Sequence, residues 1–174
     1  MKRALVIGVV RVIGVMFAAV AWAHWPRFPL PDDAVADRIV VLKADRRLEL
    51  YDSPQLLRSY SVSLGREPVG PKHEWGDMRT PEGRYFIDYH KANSSYHRAL
   101  HISYPRPDQV AAARAKHVSP GEQIMIHGLR NGVGFFGRRH LLSDWMVGCI
   151  AVTNAEIDEI SRVVPDETPI EIKP

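Results

Sequence analysis

Cys149 is the only cysteine in the 174-residue sequence, and it stands between Gly148 and the apolar run 150–152. A single cysteine cannot form an internal disulfide, so it is either a small buried hydrophobic residue or a nucleophile. Gly148 has no side chain, which allows a substrate to approach the sulfur and the neighbouring backbone N–H groups. Such N–H groups are what an oxyanion hole requires. The local sequence therefore favours a nucleophile held at the start of a strand.

A thiol of ordinary pKa needs a base or a cationic neighbour, because the thiolate is its reactive form. Among eight histidines, His127 follows the apolar run 124–126 and precedes Gly128, which predicts a position at the rim of a sheet. Alone, such a histidine is more often structural. Paired with Cys149, 22 residues later, it becomes a candidate base, since Cys–His chemistry needs residues adjacent in space. A hairpin-like return through residues 131–134 is predicted to bring the two strand ends together.

The segment 127–160, HGLRNGVGFFGRRHLLSDWMVGCIAVTNAEIDEI, resembles the active-site segment of the L,D-transpeptidase catalytic domain, the YkuD-like family of bacterial cell-wall enzymes. In that family a His-Gly pair is followed about twenty residues later by Gly-Cys and an apolar strand. The TPEG element within residues 76–85 is similar to the family's upstream half, and NSSYHRALHISYP at 93–105 resembles its YafK-like branch. The resemblance covers residues 39–173, which are predicted to form the catalytic domain.

The resemblance implies that Cys149 attacks a peptidoglycan stem peptide at its diamino acid and forms a thioester. An amine then accepts the stem, which gives a 3–3 cross-link or attaches a protein. His127 would be the general base and then the acid, with its ring oriented by the Gly128 carbonyl. The backbone N–H groups of Gly148 and Cys149 would hold the oxyanion. The family needs no metal or organic cofactor.

The chain departs from the commonest family pattern, which has Ser/Thr-His before Gly-Cys and an arginine two residues after the cysteine. Met146, Val147 and Ala151 stand at these positions. The missing arginine leaves both the substrate carboxylate contacts and the acyl acceptor open. Water can replace the amine, so a cysteine amidase or hydrolase that cleaves stem or wall-bound lipoprotein linkages stays an alternative.

Three arginines, Arg130, Arg138 and Arg139, lie between His127 and Cys149. One hypothesis is that their loop lines the site and contacts stem-peptide carboxylates. The equally weighted alternative is a solvated basic loop.

The N-terminal residues 1–24 combine Lys2 and Arg3 with an apolar run and end near Ala21-Trp22-Ala23. This pattern predicts a signal peptide, with a retained membrane anchor as the alternative. Both place the remaining chain in the periplasm or cell envelope, and contact with the inner membrane is expected only if the leader is retained. The net charge of +3 comes without a basic tract interleaved with aromatic residues, so no nucleic-acid partner is expected.

Two other functions compete with the enzyme. His90, His97 and His101 suggest a zinc hydrolase, but strand alternation would put His97 and His101 about 13 Å apart. A non-catalytic wall-binding module is the second rival, and it would not need Gly148-Cys149 beside a histidine. Asp77 and Glu82, before and within the TPEG element, are predicted to be solvated or capping.

The hydrophobic pattern predicts a mainly-β (α+β) fold, a sandwich or barrel-like pair of sheets with a few short peripheral helices. Two helices are predicted, Asp108–Lys116 and Asn154–Arg162, the second capped by Thr153 or Asn154. Val163–Lys173 is predicted to be a closing strand at a sheet edge. The other predicted strands are Ile39–Leu42, Arg47–Tyr51, Leu57–Leu64, Gly83–Asp88, Leu100–Tyr104, Ile124–His127 and Gly148–Val152.

Overall fold

The computed structural model describes residues 28–174 and, before them, Gly14 alone. The predicted leader therefore lies outside the described residues. Within the described part, no helix is long and apolar enough to cross a membrane. The strands are β1 (Arg38–Leu42), β2 (Arg47–Asp52), β3 (Gln55–Ser61), β4 (Gly83–Ser94), β5 (His97–Ile102), β6 (Met125–His127), β7 (Ile150–Ala151) and β8 (Pro169–Lys173). The helices are α1 (Pro107–Ala115) and α2 (Asn154–Val163), with a 3-10 helix over Gly134–Leu142.

Across residues 28–174 the strands pair in the order β3-β2-β1-β8-β4-β5-β6-β7. Most pairs are antiparallel, whereas β1 with β8 and β6 with β7 are parallel. The long strand β4 belongs to both halves of the sheet, and its pairing with β5 has two irregularities that bend the strand. The mainly-β, α+β fold with short peripheral helices is confirmed.

The hydrophobic core is formed by side chains from one face of the curled sheet together with those of α2. Ile39 and Val41 of β1 and Leu48 and Leu50 of β2 are fully buried, as the period of two in a strand requires. Ile126 of β6 and Ile150 of β7 are opposite one another and are also fully buried. Because strand side chains alternate, His127 and Ala151 lie on the other face of this pair.

Helix α2 begins with a capping box in which the Thr153 hydroxyl accepts the Glu156 N–H and the Glu156 carboxylate accepts the Thr153 N–H. Ile157, Ile160 and Val163 form its buried face. The helix directly follows β7, so its cap fixes where that strand ends.

Two topological predictions were wrong. Strand β8 is not at an edge, because it pairs with β1 on one side and β4 on the other. Pro169 is tolerated there since it occupies the first position of the strand. The return between β6 and β7 is not hairpin-like, since the two strands are parallel. Parallel neighbours need a crossover connection, and the 3-10 helix lies within it. This helix is broken at Gly137 (φ 49°, ψ −136°), so the sequence shows no continuous helical period there.

Candidate functional site

A cavity of about 390 Å³ contains both candidate residues, Cys149 and His127. Its walls come from three parts of the chain, namely the loop 72–76, the β4–β5 turn with its flanks at 91–96, and the segment 121–127 before and within β6. Met146 and Val147 complete the lining beside the cysteine. The sheet thus assembles one concave site from segments that are far apart in sequence.

The imidazole of His127 is held in one orientation. Its Nδ1–H donates to the carbonyl oxygen of Gly128 at 2.6 Å, which leaves Nε2 unprotonated. Tyr96 packs against the ring, with centroids 4.5 Å apart. Nε2 is buried and has no hydrogen-bond partner among the described residues. Burial lowers the pKa of His127, and the Gly128 carbonyl only partly offsets this. The ring is therefore neutral at pH 7, with a lone pair that can accept a proton.

Gly128 has a packing reason to be glycine. A Cβ there would lie 2.8 Å from Asn154 Oδ1 and 3.0 Å from Ile157 Cγ2. Asn154 Oδ1 accepts the N–H of Leu129 at 2.8 Å, and the Gly128 N–H donates to Arg98 at 3.2 Å. The carbonyl that orients His127 is therefore held between α2 and β5.

Cys149 is half-buried, and its thiol donates to the carbonyl oxygen of Gln123 at 3.5 Å. Burial raises the pKa of the Cys149 thiol, while the Met125 N–H and the positive charge of Lys72 lower it. The net direction is upward, so the resting sulfur is a thiol. The half-buried cysteine and the buried histidine are thus a neutral pair and not a thiolate–imidazolium pair.

The register of β6 and β7 explains why the two residues share the cavity. His127 is opposite Ala151, so Cys149 is displaced by two residues along the neighbouring segment and belongs to the same face. Cys149 directly precedes β7, and both it and His127 line the cavity. Transfer of the thiol proton to His127 requires the Cys149 thiol to turn from the Gln123 carbonyl toward Nε2.

Gly148 adopts φ +131°, a conformation that residues with a Cβ rarely adopt. A Cβ would lie 2.9 Å from the Arg79 carbonyl oxygen and 3.1 Å from Ile124 Cδ1. The chain therefore reaches Cys149 through a turn that requires glycine. The peptide groups on either side of this turn are the ones predicted to bind an oxyanion.

The three arginines predicted to meet substrate carboxylates are not among the residues that line this cavity. Arg130 and Arg139 are exposed and Arg138 is half-buried. The cations in the lining are Lys72 and Lys91. Sequence reasoning missed both lysines, together with Tyr96, and the only signal for Lys72 was its closeness to the TPEG element.

The acidic residues near the TPEG turn have structural partners. Asp77 accepts Lys72 Nζ at 2.7 Å and the backbone N–H groups of His73, Glu74 and Arg79. Its pKa is raised by burial but lowered more by these donors, and the net direction is downward. Glu82 pairs with Lys43 at 2.7 Å.

The histidines considered for zinc have separate partners. His97 contacts Asp158 at 2.9 Å, His101 contacts Asp88 at 2.6 Å, and His90 contacts Ser161 at 3.1 Å. Among residues 28–174, no group of three or more His, Cys, Asp or Glu side chains is arranged to hold a metal ion.

A second histidine lies near the first. His140 belongs to the 3-10 helix, and its ring Nδ1 lies 3.1 Å from Ser63 Oγ. The Ser63 hydroxyl also donates to the His140 carbonyl oxygen at 2.8 Å. Burial and then the nearby His127 lower the pKa of His140 to about 4. The 3-10 helix is thereby fixed to the strand extension beside β7, where Ser63 pairs with Ala151.

A family profile and a curated relative both match L,D-transpeptidases. The profile of YkuD, described as the L,D-transpeptidase catalytic domain, matches residues 36–172. The Escherichia coli K12 protein named "Putative L,D-transpeptidase YafK" is 34% identical over 132 residues, which are 72% of this chain and 46% of that protein. The chain thus spans just under half the length of this curated relative.

Solved structures show the same fold. The helical cell shape determining protein Pgp2 of Campylobacter jejuni superposes with a TM-score of 0.59 at 21% identity, covering 81% of this chain and 48% of that one. Bd1075 of Bdellovibrio bacteriovorus gives 0.53 at 22% identity, covering 84% and 51%. An L,D-transpeptidase from Mycobacterium smegmatis gives 0.51 at 14% identity, covering 80% and 59%.

Proposed function

The chain belongs to the YkuD family of L,D-transpeptidase catalytic domains, and from this premise we propose that it acylates itself on Cys149 with a peptidoglycan stem peptide. The acyl group comes from the diamino acid of the stem and passes to an amine. The single observation that carries the proposal is the environment of His127, whose Nδ1–H is fixed on Gly128 and whose buried Nε2 has no partner among the described residues.

In the first half-reaction, the thiol proton moves to the leaving amine and the C–N bond of the amide is replaced by a C–S bond. Nε2 of His127 accepts the thiol proton as Sγ of Cys149 attacks the carbonyl carbon of the stem amide. The oxyanion that forms is held by the backbone N–H groups of Gly148 and Cys149. Collapse breaks the C–N bond, the leaving amine takes the proton from Nε2, and a thioester remains. In the second half-reaction, an acceptor amine attacks the thioester carbon and gives its proton to Nε2 of His127. The C–S bond breaks, the sulfur takes the proton from Nε2, and the thiol is released.

The electrostatics support general-base catalysis and not a preformed thiolate. Burial raises the pKa of Cys149 and lowers that of His127, so both groups favour their neutral forms. A neutral imidazole is the form that can accept a proton. We therefore expect acylation to persist below pH 6.5, the region where an ordinary histidine would already be protonated.

The setting of the reaction follows from the family and from the N-terminal pattern. We assign the substrate as peptidoglycan stem peptides and the location as the cell envelope, reached through the leader at residues 1–24. Transfer to an amine is the proposed outcome. Hydrolysis, including release of a wall-attached lipoprotein, uses the same two residues with water as the acceptor.

The test is to incubate the full-length protein with a tetrapeptide-stem muropeptide and record intact mass. The expected adduct has the mass of the stem minus its terminal D-Ala. It should be absent in Cys149→Ala and strongly reduced in His127→Asn. His117→Asn is the matched control, because His117 is exposed, lies outside the cavity lining and has a positive φ that asparagine tolerates.

The products then identify the acceptor. A cross-linked dimer indicates transpeptidation, whereas free tripeptide stem indicates hydrolysis. An adduct that survives in Cys149→Ala, or equal labelling of wild type and His127→Asn, would overturn the assignment of the pair.

A further inference from the structure

Among residues 28–174, two lysines are almost completely buried, and their hydrogen bonding differs. Lys43 Nζ donates to Gly70 O (2.7 Å), Thr80 O (3.0 Å) and Glu82 Oε1 (2.7 Å). A lysine ammonium has three N–H donors, so Lys43 is fully satisfied and serves the structure. Its exposed fraction is 2%.

Lys72 is 5% exposed, and its Nζ has only two acceptors among the described residues. These are the Glu74 carbonyl at 2.8 Å and Asp77 Oδ1 at 2.7 Å. One N–H of a buried ammonium is left without an acceptor, which is costly unless a ligand supplies one. Lys72 also lines the cavity that holds Cys149 and His127.

The loop that carries Lys72 is held firmly. Asp77 binds the N–H groups of His73 and Glu74, and the N–H of Trp75 donates to Ser119 at 2.7 Å. The ammonium is therefore positioned before any ligand arrives. Its positive charge lowers the pKa of the Cys149 thiol, yet no hydrogen bond joins the two residues within the described part of the chain.

Resting on the proposed function, we propose that Lys72 binds the free carboxylate of the residue that leaves, and so selects stem peptides that end in a free acid. The carboxylate carbon of that residue is three bonds from the attacked carbonyl carbon, less than about 4 Å away. Lys72 and Cys149 line the same cavity and are not hydrogen-bonded to one another within the described residues, so a carboxylate bound by Lys72 can belong to a stem peptide attacked by Cys149.

Other cations of the chain fit this role less well. Arg130, Arg138 and Arg139 do not line the cavity. Lys91 does, but it is exposed, and an exposed ammonium is already solvated and gains less from a carboxylate. Lys91 is therefore the comparator and Lys72 the assigned residue.

The experiment measures binding, so it does not depend on turnover. Full-length Cys149→Ala protein is titrated by calorimetry with a tetrapeptide stem ending in D-Ala and with the same stem ending in D-Ala amide. The acid should bind about 10- to 100-fold more tightly, as expected for a hydrogen bond to a buried charge. Adding Lys72→Met should weaken acid binding to the level of the amide. Lys91→Met and the exposed Lys116→Met should keep the preference.

The outcomes separate this inference from the proposed function. Equal binding of acid and amide by the Cys149→Ala protein overturns the inference without any lysine variant. A preference that survives Lys72→Met but disappears in Lys91→Met also overturns it. If the acid preference depends on Lys72 but wild-type protein forms no adduct, the carboxylate site stands and the proposed reaction falls. Lys72→Arg, which keeps the charge, should retain the preference and guards against misfolding of Lys72→Met.

Discussion

Replacing Gly148 by alanine tests the turn that leads into Cys149. The residue has φ +131°, which glycine adopts freely and alanine does not. The added Cβ would lie 2.9 Å from the carbonyl oxygen of Arg79, a backbone atom that cannot swing aside, and 3.1 Å from Ile124 Cδ1. Either residue 148 changes its backbone angles or the loop that contains Arg79 moves.

The expected loss of stability has two parts. Forcing a residue with a Cβ into this region costs about 1–3 kcal/mol. The contact with a fixed carbonyl adds about 1–3 kcal/mol of overpacking. Together they lower the free energy of unfolding by roughly 2–6 kcal/mol and Tm by roughly 5–20 °C for a domain of this size. Gly132→Ala is the matched control, because Gly132 has φ +86° but nothing within 4 Å of its Cβ position.

The effect on chemistry is measured separately from the effect on folding. Rotating the peptide groups beside Gly148 removes an N–H donor from the oxyanion, which costs about 100- to 1,000-fold in rate. Single-turnover acylation by the stem peptide, measured by mass spectrometry well below the Tm of the variant, separates this from unfolding. Gly132→Ala should acylate at the wild-type rate. Gly148→Ala with a lowered Tm and a wild-type acylation rate would refute the oxyanion role, and an unchanged Tm would refute the strain argument.

Three further predictions concern stability. Thr153→Ala removes the hydroxyl that caps α2 and should cost about 1 kcal/mol in urea unfolding. Lys43→Met leaves the Glu82 carboxylate without its buried partner and should cost about 3–5 kcal/mol, measured the same way. The free energy of unfolding should fall as pH drops from 7 to 5, since burial lowers the pKa of His127 and His140 and the unfolded chain then binds more protons.

Controls accompany each of these measurements. Thr153→Ser keeps the hydroxyl and should be nearly neutral. Lys43→Met combined with Glu82→Gln should recover part of the loss, because no buried charge is then left alone. His140→Asn should flatten the pH dependence, whereas His117→Asn, at an exposed site, should not. If the free energy of unfolding rises as pH falls, or if its pH dependence is the same in His140→Asn as in the wild type, the buried histidines are not the source of the effect.

The sequence alone was sufficient to single out Cys149 and His127, because a lone cysteine after glycine and a histidine at a strand end are distinctive in type and position. It was also sufficient for the mainly-β fold, since short runs rich in β-branched and apolar residues, such as those of β1 and β2, became strands with buried centres. It was insufficient for the place of β8, because a strand with a leading proline looks like an edge strand whether or not it has two neighbours.

The arginines and Lys72 show why the walls of a cavity are harder to predict than its candidate cysteine and histidine. Arg130 and Arg139 are close to His127 and Cys149 in sequence, but the parallel pairing of β6 and β7 requires a crossover between them, and that crossover carries both arginines away from the cavity. Lys72 is more than fifty residues from His127, yet the sheet order brings its loop against the segment before β6. The positive charge that the common family arginine would supply, absent at Ala151, is therefore expected from Lys72, which is distant in sequence, and not from a neighbour of Cys149 in sequence.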